Sequence, residues 1–565
     1  MKTSTLRDYA PLISVIAFTA IIKALDPVNS PVIGALDPWG WTAWTRQFLA
    51  TGELISFFTQ TGYPPTFMYF VAALASLGTD PYEIIRLIPI ATTLNVIPIY
   101  LLALNMFRSH KISALASVLT VTDRFYFMRT SIGIPEGLAH FFFGFTLLFL
   151  LRALITKRWM YRSLAAAFLT ASILYYHFTF IILVPLAVVL PFAIKLRWRD
   201  TAKVLLTIIA PALLFSGVVW YFRVLPNMVG YYLGTRVFTY QVPVFERSAT
   251  GLLRLILVSV GKSAAVALGE LGYSMVILGF LGIAAVLILR GVREEYGVGV
   301  GFLLTYLIVL VLLTLGLRVV YNLGLAGAGD SSVYMFSWLA MPTAILASYA
   351  VVDGLNLLRV SLTTRYKGIS YENLFRPLTV LLIILLCVVN LSAMNYYKAP
   401  SAVGLGILQS HYYYKTMTDQ EYYALDYVRR NSPRDAIVLV VGVEEPILTY
   451  EAIVAQRRII GIQRITIVGQ NVTLSALIVY PDLHTANLTN IGMGLHGEPQ
   501  HQIYLITGIR KVNLEAARTN GFPPPSKASM EALLVNTITN LGQYDMVYQN
   551  DQVSVLKVLL GELEY

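Results

Sequence analysis

Three carboxylates stand where an apolar chain turns back on itself. Asp37 lies in Leu36-Asp37-Pro38-Trp39, just beyond the first apolar run. Glu136 lies in Arg129-Thr-Ser-Ile-Gly-Ile-Pro-Glu136-Gly137, a short turn between two later runs, and Glu246 lies in Val244-Phe245-Glu246-Arg247, within a long connection. Carboxylates in or beside a bilayer are costly and mark functional sites. Two or three converging on one face could hold a hard divalent cation, Mg2+ or Mn2+, which takes oxygen ligands. Such an ion would neutralise phosphate or pyrophosphate as it departs. Each acid also has a structural reading: Asp37 as a helix N-cap, Glu136 as a first-turn acid on a helix dipole, Glu246 as the partner of Arg247. His177, in Tyr175-Tyr176-His177-Phe178-Thr179, and His140, one turn past Glu136, are candidate lining residues whose plainer role is a hydrogen-bonded structural histidine. Trp39, Trp41 and Trp44 read as interfacial anchors, with Trp39 close enough in sequence to Asp37 to line the same site.

The elements that must carry these residues are membrane spans. Of 565 residues, 56% are hydrophobic and 13% charged, with a mean hydropathy of +0.66. Soluble domains carry about 25% charged residues, so a soluble enzyme and a disordered chain are both excluded. The formal charge of +11 points to basic loops facing cytoplasm and anionic membrane lipid, not to nucleic acid. A single cysteine, Cys387, permits no intrachain disulfide and no cysteine-based zinc site. The first apolar stretch has no small-residue cleavage pattern and reads as a retained span.

Apolar runs place spans near 9–25, 82–106, 112–128, 137–155, 163–177, 178–194, 202–222, 272–290, 298–317, 334–353 and 377–393. Basic residues collect on alternate connections: Lys2 and Arg7, Arg108 and Lys111, Lys157 with Arg158 and Arg162, Lys195 with Arg197 and Arg199, Arg290 and Arg293, then Arg359 to Arg376. The expected topology is therefore a cytoplasmic N-terminus in the cell membrane, about 11 transmembrane helices and an external C-terminal domain. Pro65–Leu77 is apolar, but a span there would reverse every later loop, so an interfacial or re-entrant helix is expected. Two domains follow: residues 1–394, transmembrane, with long external loops at about 26–81 and 223–271, and residues 395–565, a mixed α/β domain. In the latter the pattern predicts a helix over Asp419–Asn431 behind a Thr418 N-cap, with Glu421 three residues on. Strands are expected at Ala436–Val441, Ile459–Val468 and Gln502–Thr507, a helix at Pro446–Arg458, and a hairpin about Asn550-Asp551. No Gly-rich phosphate loop, HExxH motif or long repeat occurs.

The run Leu36-Asp-Pro-Trp-Gly-Trp-Thr-Ala-Trp-Thr-Arg-Gln-Phe-Leu-Ala-Thr-Gly52, with Gly62-Tyr-Pro-Pro65, resembles the first external loop of oligosaccharyltransferase catalytic subunits. Tyr82–Phe107 resembles their second span, and Arg129 to Glu136 their second acidic motif. These are polytopic glycosyltransferases of the GT-C superfamily. The resemblance implies a polyprenyl (dolichyl-type) phosphate or pyrophosphate sugar donor, a divalent metal and an outward-facing site. Asp37 then matches the first-loop acid that binds metal and acceptor, Glu136 the first acid of a paired motif, and Arg129 a basic residue near it. Glu246 matches the large-loop acid by position only. The chain departs from the pattern at three places. Leu138 replaces the second paired acid, and Val440-Val-Gly-Val-Glu-Glu-Pro446 stands where the Trp-Trp-Asp-Tyr-Gly motif is found. The donor-phosphate arginine is missing from Ser331 to Trp338, leaving Arg318 as its nearest substitute. Asn471-Val-Thr and Asn487-Leu-Thr agree with an external placement of the second domain.

The leading expectation is a metal-assisted glycosyltransferase that moves a sugar or glycan from a polyprenyl-phosphate donor to an external glycan, lipid or protein acceptor. Asp37 would act as general base or orient the acceptor, and Glu136 and Glu246 would hold the metal. The alternatives are protein N-glycosylation of the oligosaccharyltransferase type, a transporter and a catalytically silent scaffold. Against a transporter, no expected span carries a mid-membrane charge pair.

Overall fold

The computed structural model describes residues 6–33, 37–54, 58, 63–194, 196–217, 257, 261, 273–290, 297–322, 335–365, 381, 419–441, 454–468, 471–480, 483–493, 503–507, 544–549 and 553–558. The chain forms two compact units. The first comprises Met1–Leu25, Leu54–Tyr69 and Leu87–Tyr396, and the second Asp26–Glu53, Phe70–Arg86 and Tyr397–Tyr565.

The first unit is helical. The helices are α1 (Leu6–Asn29), α2 (Asp37–Thr51), α3 (Thr66–Ala75), α4 (Pro81–Ala91), α5 (Val96–Phe107), α6 (His110–Thr122), α7 (Arg124–Thr130), α8 (Pro135–Thr156), α9 (Trp159–Tyr175), α10 (Phe178–Ala193), α11 (Trp198–Ser216), α12 (Tyr273–Arg290), α13 (Gly297–Asn322) and α14 (Met335–Arg365). All of α2 and parts of α1, α3 and α4 belong to the second unit. Among the described residues, four helical stretches are long and apolar enough to cross a membrane: Pro81–Phe107, Pro135–Thr156, Gly297–Val319 and Met335–Gly354. α3 spans 10 residues, about 15 Å at the helical rise, about half of a hydrocarbon core. On its own it is too short to cross a bilayer.

Two expected spans are interrupted. Within Pro81–Phe107 a 3-10 turn, Thr92–Asn95, separates α4 from α5. Pro89 supplies no amide proton, and the Thr92 hydroxyl donates to the Pro89 carbonyl at 2.7 Å. The expected 112–128 span breaks at Asp123, which caps α7 by accepting from the Tyr126 amide at 2.9 Å. The expected 377–393 span lies outside the described residues but for Leu381.

Packing within the unit runs α8 along α9, α6 along α14, α12 along α14, and α10 along α13. Leu115 and Leu119 of α6 meet Ala344, Ala347 and Val351 of α14 in one buried cluster. α12 approaches α14 through glycine: a Cβ on Gly279 would stand 2.8 Å from the Thr343 methyl carbon.

The second unit holds α15 (Asp419–Asn431) and a seven-stranded sheet in the order β4-β3-β2-β1-β5-β7-β6. The strands are β1 (Ile437–Val441), β2 (Arg458–Val468), β3 (Asn471–Tyr480), β4 (Leu483–Met493), β5 (Ile503–Thr507), β6 (Tyr544–Gln549) and β7 (Ser554–Val558). β1 reads Ile-Val-Leu-Val-Val and sits centrally, parallel to both β2 and β5, as an unbroken apolar run should. β6 and β7 form the hairpin expected around Asn550-Asp551. The long antiparallel β3/β4 pair was not expected: its Thr, Ser and Asn content masks the alternation. α15 carries Asp419 and Glu421 in its first turn and Arg429 and Arg430 in its last, the arrangement its dipole favours. Of the expected Pro446–Arg458 helix, residues 446–453 lie outside the described residues.

Candidate active site

The expected turn at Glu136 is real and tightly built. α7 ends at Thr130, and Gly133 takes φ +62, a conformation that favours glycine. α8 then starts with Pro135 at its first position and Glu136 in its first turn. Gly137 sits so close to the 3-10 turn that a Cβ there would stand 2.9 Å from the Thr92 methyl carbon, while Asn95 Nδ2 donates to the Gly137 carbonyl at 2.9 Å.

Glu136 is wholly buried, and both of its oxygens are engaged. Arg129 Nε donates to Oε2 at 2.7 Å, and Arg129 Nη2 donates to the same oxygen. Ser337 of α14 donates to Oε1 at 2.6 Å, and His140 Nε2 lies 3.6 Å from Oε1. The His140 ring packs against Trp338 at 4.1 Å and against Tyr126 at 4.9 Å, tilted in each case. Tyr176 faces Trp338 in parallel at 6.4 Å, and His177 meets Tyr63 edge-on at 5.1 Å. Arg129, His140, His177, Ser337 and Trp338 are all buried. So the turn, Arg129, Glu136 and His140 come together, and the aromatic layer beside them reaches Tyr176, the neighbour of His177.

Sequence reasoning missed Lys23. Its ammonium is buried and donates to Thr92 Oγ1 at 2.6 Å, Thr130 Oγ1 at 2.8 Å and the Thr130 carbonyl at 3.4 Å. The available signal was a lone charge inside an apolar run. Its partners, 69 and 107 residues away, were not legible. Ser337 and Trp338 were also missed, although both lie in the segment scanned for the donor arginine. Arg318 is buried near the end of α13.

The structure bears on two expectations. Glu136 Oε2 accepts from two Arg129 nitrogens and Oε1 from Ser337, so a cation at Glu136 would share the carboxylate with these donors. Arg129 presents two of its nitrogens to Glu136. No group of three or more His, Cys, Asp or Glu side chains able to hold a metal occurs among the described residues, and Glu246 lies outside them. Second, Trp39 and Trp41 are buried inside protein and are not interfacial anchors.

In the second unit, Asp37 opens α2 as its first-turn acid, half-buried. The helix is pinned further along. Arg46 Nη2 donates to both oxygens of Asp80 at 2.8 and 3.1 Å, the Tyr82 amide donates to Oδ1 at 2.8 Å, and Gln456 Nε2 donates to Oδ2 at 3.2 Å. Trp39 lies 5.1 Å from the Tyr82 ring, which stacks on Tyr422 of α15 at 5.8 Å. Ser30 donates to Asp419 at 2.6 Å. Beside α2 a cavity of about 270 Å³ is lined by guanidinium, carboxylate and phenol groups, among them Arg46, Glu83, Tyr422 and Arg429. Burial, with the charges of Glu83 and Asp426 nearby, pushes the Tyr422 hydroxyl up to about 12.

The archaeal oligosaccharyltransferase AglB of Archaeoglobus fulgidus, solved with an inhibitory peptide and a dolichol-phosphate, superposes with a TM-score of 0.50 at 15% identity, over 80% of this chain and 64% of that one. The oligosaccharyltransferase of that organism in complex with Zn and sulfate gives 0.50 at 16% identity, over 78% and 61%. The fold is of the GT-C type. ArnT of Cupriavidus metallidurans, solved bound to undecaprenyl phosphate, aligns over 98% of this chain and 99% of its own with a TM-score of 0.48 and 11% identity. The chain matches no protein-family profile and no curated protein sequence. It spans less than two thirds of the length of the oligosaccharyltransferases it matches.

Proposed function

We propose that the chain is a multi-pass membrane glycosyltransferase that moves a sugar or glycan from a polyprenyl-phosphate-linked donor to an acceptor on the outer membrane face. The observation that carries this reading is the GT-C fold, matched over about four-fifths of the chain to a structure that contains dolichol-phosphate. In this reading Asp37, at the start of a helix held in place by Asp80 and Gln456, orients the acceptor or takes its proton. The mixed polar cavity beside α2 suits a hydroxyl-rich ligand. The Arg129–Glu136 pair is a positioning device that fixes the α7–α8 turn, with Ser337 tying it to α14. A divalent cation, as the sequence suggests, would stabilise charge developing on the departing phosphate. The remaining parts of the proposal are a cytoplasmic N-terminus, about 11 spans and an external C-terminal domain.

A second reading, protein N-glycosylation, is favoured by the likeness to AglB. The peptide-motif departure at Val440–Pro446 ranks it below the general transferase.

The test is reconstitution. Purified chain in liposomes with a membrane extract of lipid-linked sugars should transfer label from the polyprenyl carrier to an acceptor. Asp37→Asn should lower that rate by about 100-fold or more, the usual scale of a general-base loss. Equal rates for the two proteins would remove Asp37 from the chemistry, and no transfer by either would remove the enzyme.

A further inference from the structure

At the end of the first unit where α8 stops and α11 starts, a second cavity of about 290 Å³ opens. Its buried lining is Leu154, Thr201 and Val204. Its rim is charged. Lys157 follows the last residue of α8 in a left-handed conformation, φ +57, which is unfavourable for a side chain other than glycine but sets its cation against the helix's negative end. Arg197 precedes the first turn of α11, and Asp200 lies in that turn. Lys157 Nζ donates to Asp200 Oδ2 at 2.8 Å, with both side chains largely open to solvent. Arg158, Arg162, Arg199 and Lys203 lie within a few residues of these in sequence, and Arg162 Nη2 secures the loop by donating to the Lys157 carbonyl at 3.1 Å.

The surroundings locate this rim in the headgroup region. Trp159 and Trp198 are 65% and 56% exposed, with the Arg199 guanidinium over the Trp198 ring. Exposed indoles beside basic residues at helix ends mark the bilayer interface. Phe192 and Leu206, 80% and 66% exposed, continue an apolar surface into α10 and α11, where acyl chains would lie. Basic pockets between span ends bind anionic headgroups.

We propose that this cavity binds the headgroup of an anionic phospholipid. The phosphate sits between Arg197 and Lys157, and Asp200 is the internal anion that occupies Lys157 when the lipid is absent. The site is separate from the proposed transfer chemistry and stands whatever the chain's activity.

Native mass spectrometry of the full chain, released from detergent with phosphatidylglycerol or phosphatidylcholine, tests it. The wild-type chain should retain phosphatidylglycerol in preference. Lys157→Gln with Arg197→Gln should lower that preference roughly thirtyfold, at about 1 kcal/mol per cation. Lys157→Arg with Arg197→Lys should restore it, which separates lost charge from misfolding. Asp200→Asn should raise retention, because it frees Lys157. Lys111→Gln, on a different loop, should change nothing. The proposal is overturned if phosphatidylcholine is held equally, if Asp200→Asn weakens retention, if Lys111→Gln acts as strongly as the double variant, or if millimolar inorganic phosphate displaces the lipid.

Discussion

Replacing Glu136 by leucine removes the carboxylate that accepts from the buried Arg129 guanidinium and from the Ser337 hydroxyl. Breaking a buried ion pair from one side costs about 3–5 kcal/mol, because the remaining charge stays in a poor dielectric. Arg129→Met breaks the pair from the other side and should cost a similar amount. The double variant, Arg129→Met with Glu136→Leu, removes both charges at once and should cost less than either single variant. The cycle should therefore show a coupling of about 3 kcal/mol or more. The assay is the SDS-unfolding midpoint of the chain in mixed micelles, followed by helical circular dichroism. Glu136→Gln sharpens the test: it keeps the shape but not the charge and should also destabilise. If Glu136→Gln unfolds like wild type while transfer is abolished, Glu136 is a reacting or ligating group and the positioning role is wrong. If the singles and the double are additive, the pair does not fix the turn.

Three further outcomes follow from the same geometry. Asp80→Asn should cost about 1.5–3 kcal/mol, the scale of charged hydrogen bonds, and should raise the acceptor KM more than it lowers kcat; transfer assays on the variant check this, and an unchanged KM would detach α2 from the site. Gly137→Ala should destabilise by about 1–3 kcal/mol through overpacking against Thr92, seen as a lower unfolding midpoint, whereas Gly52→Ala, with nothing near its Cβ, would report only the strain of its positive φ. Tyr422 has a folded-state pKa of about 12 against an ordinary 10.0, so the folded state holds its proton longer than the unfolded one. Its contribution to stability is therefore whole below pH 10 and is lost as pH rises from about 10 to 12. An ultraviolet difference titration of wild type against Tyr422→Phe should show one phenol ionising near pH 12, and one ionising with the exposed tyrosines would contradict its burial.

The site was partly legible in the sequence. Glu136 after Pro135 and a glycine-containing turn is a local pattern, and the helix start it announces is where α8 begins. Its partner Arg129, seven residues back, was within reach of the same pattern. What closes the pair is Ser337, 201 residues away, and no local rule reaches that far. Lys23 illustrates the same limit, since a lone lysine in an apolar run signals something buried without naming Thr92 or Thr130. The tryptophans were misread because Trp-rich segments next to a span favour the interface, and here Tyr82 and the residues around it cover Trp39 instead. Among elements, apolar runs located the helices well but hid the breaks at Thr92–Asn95 and Asp123, where side-chain hydroxyl and carboxylate groups take over backbone hydrogen bonding. β1 and the last hairpin carried strong signals. β3 and β4 did not, because their polar residues dilute the period of two.

The central claim is that this chain transfers sugar from a polyprenyl-phosphate carrier and that Asp37 takes part. Mass spectrometry of lipid-linked and product glycans, in cells carrying wild-type chain or Asp37→Asn, tests it directly. The account predicts a changed pool in the variant: either a lipid-linked glycan short by one sugar, or a complete lipid-linked glycan beside an unmodified acceptor. Identical lipid-linked and product glycans in the two cell lines would contradict it.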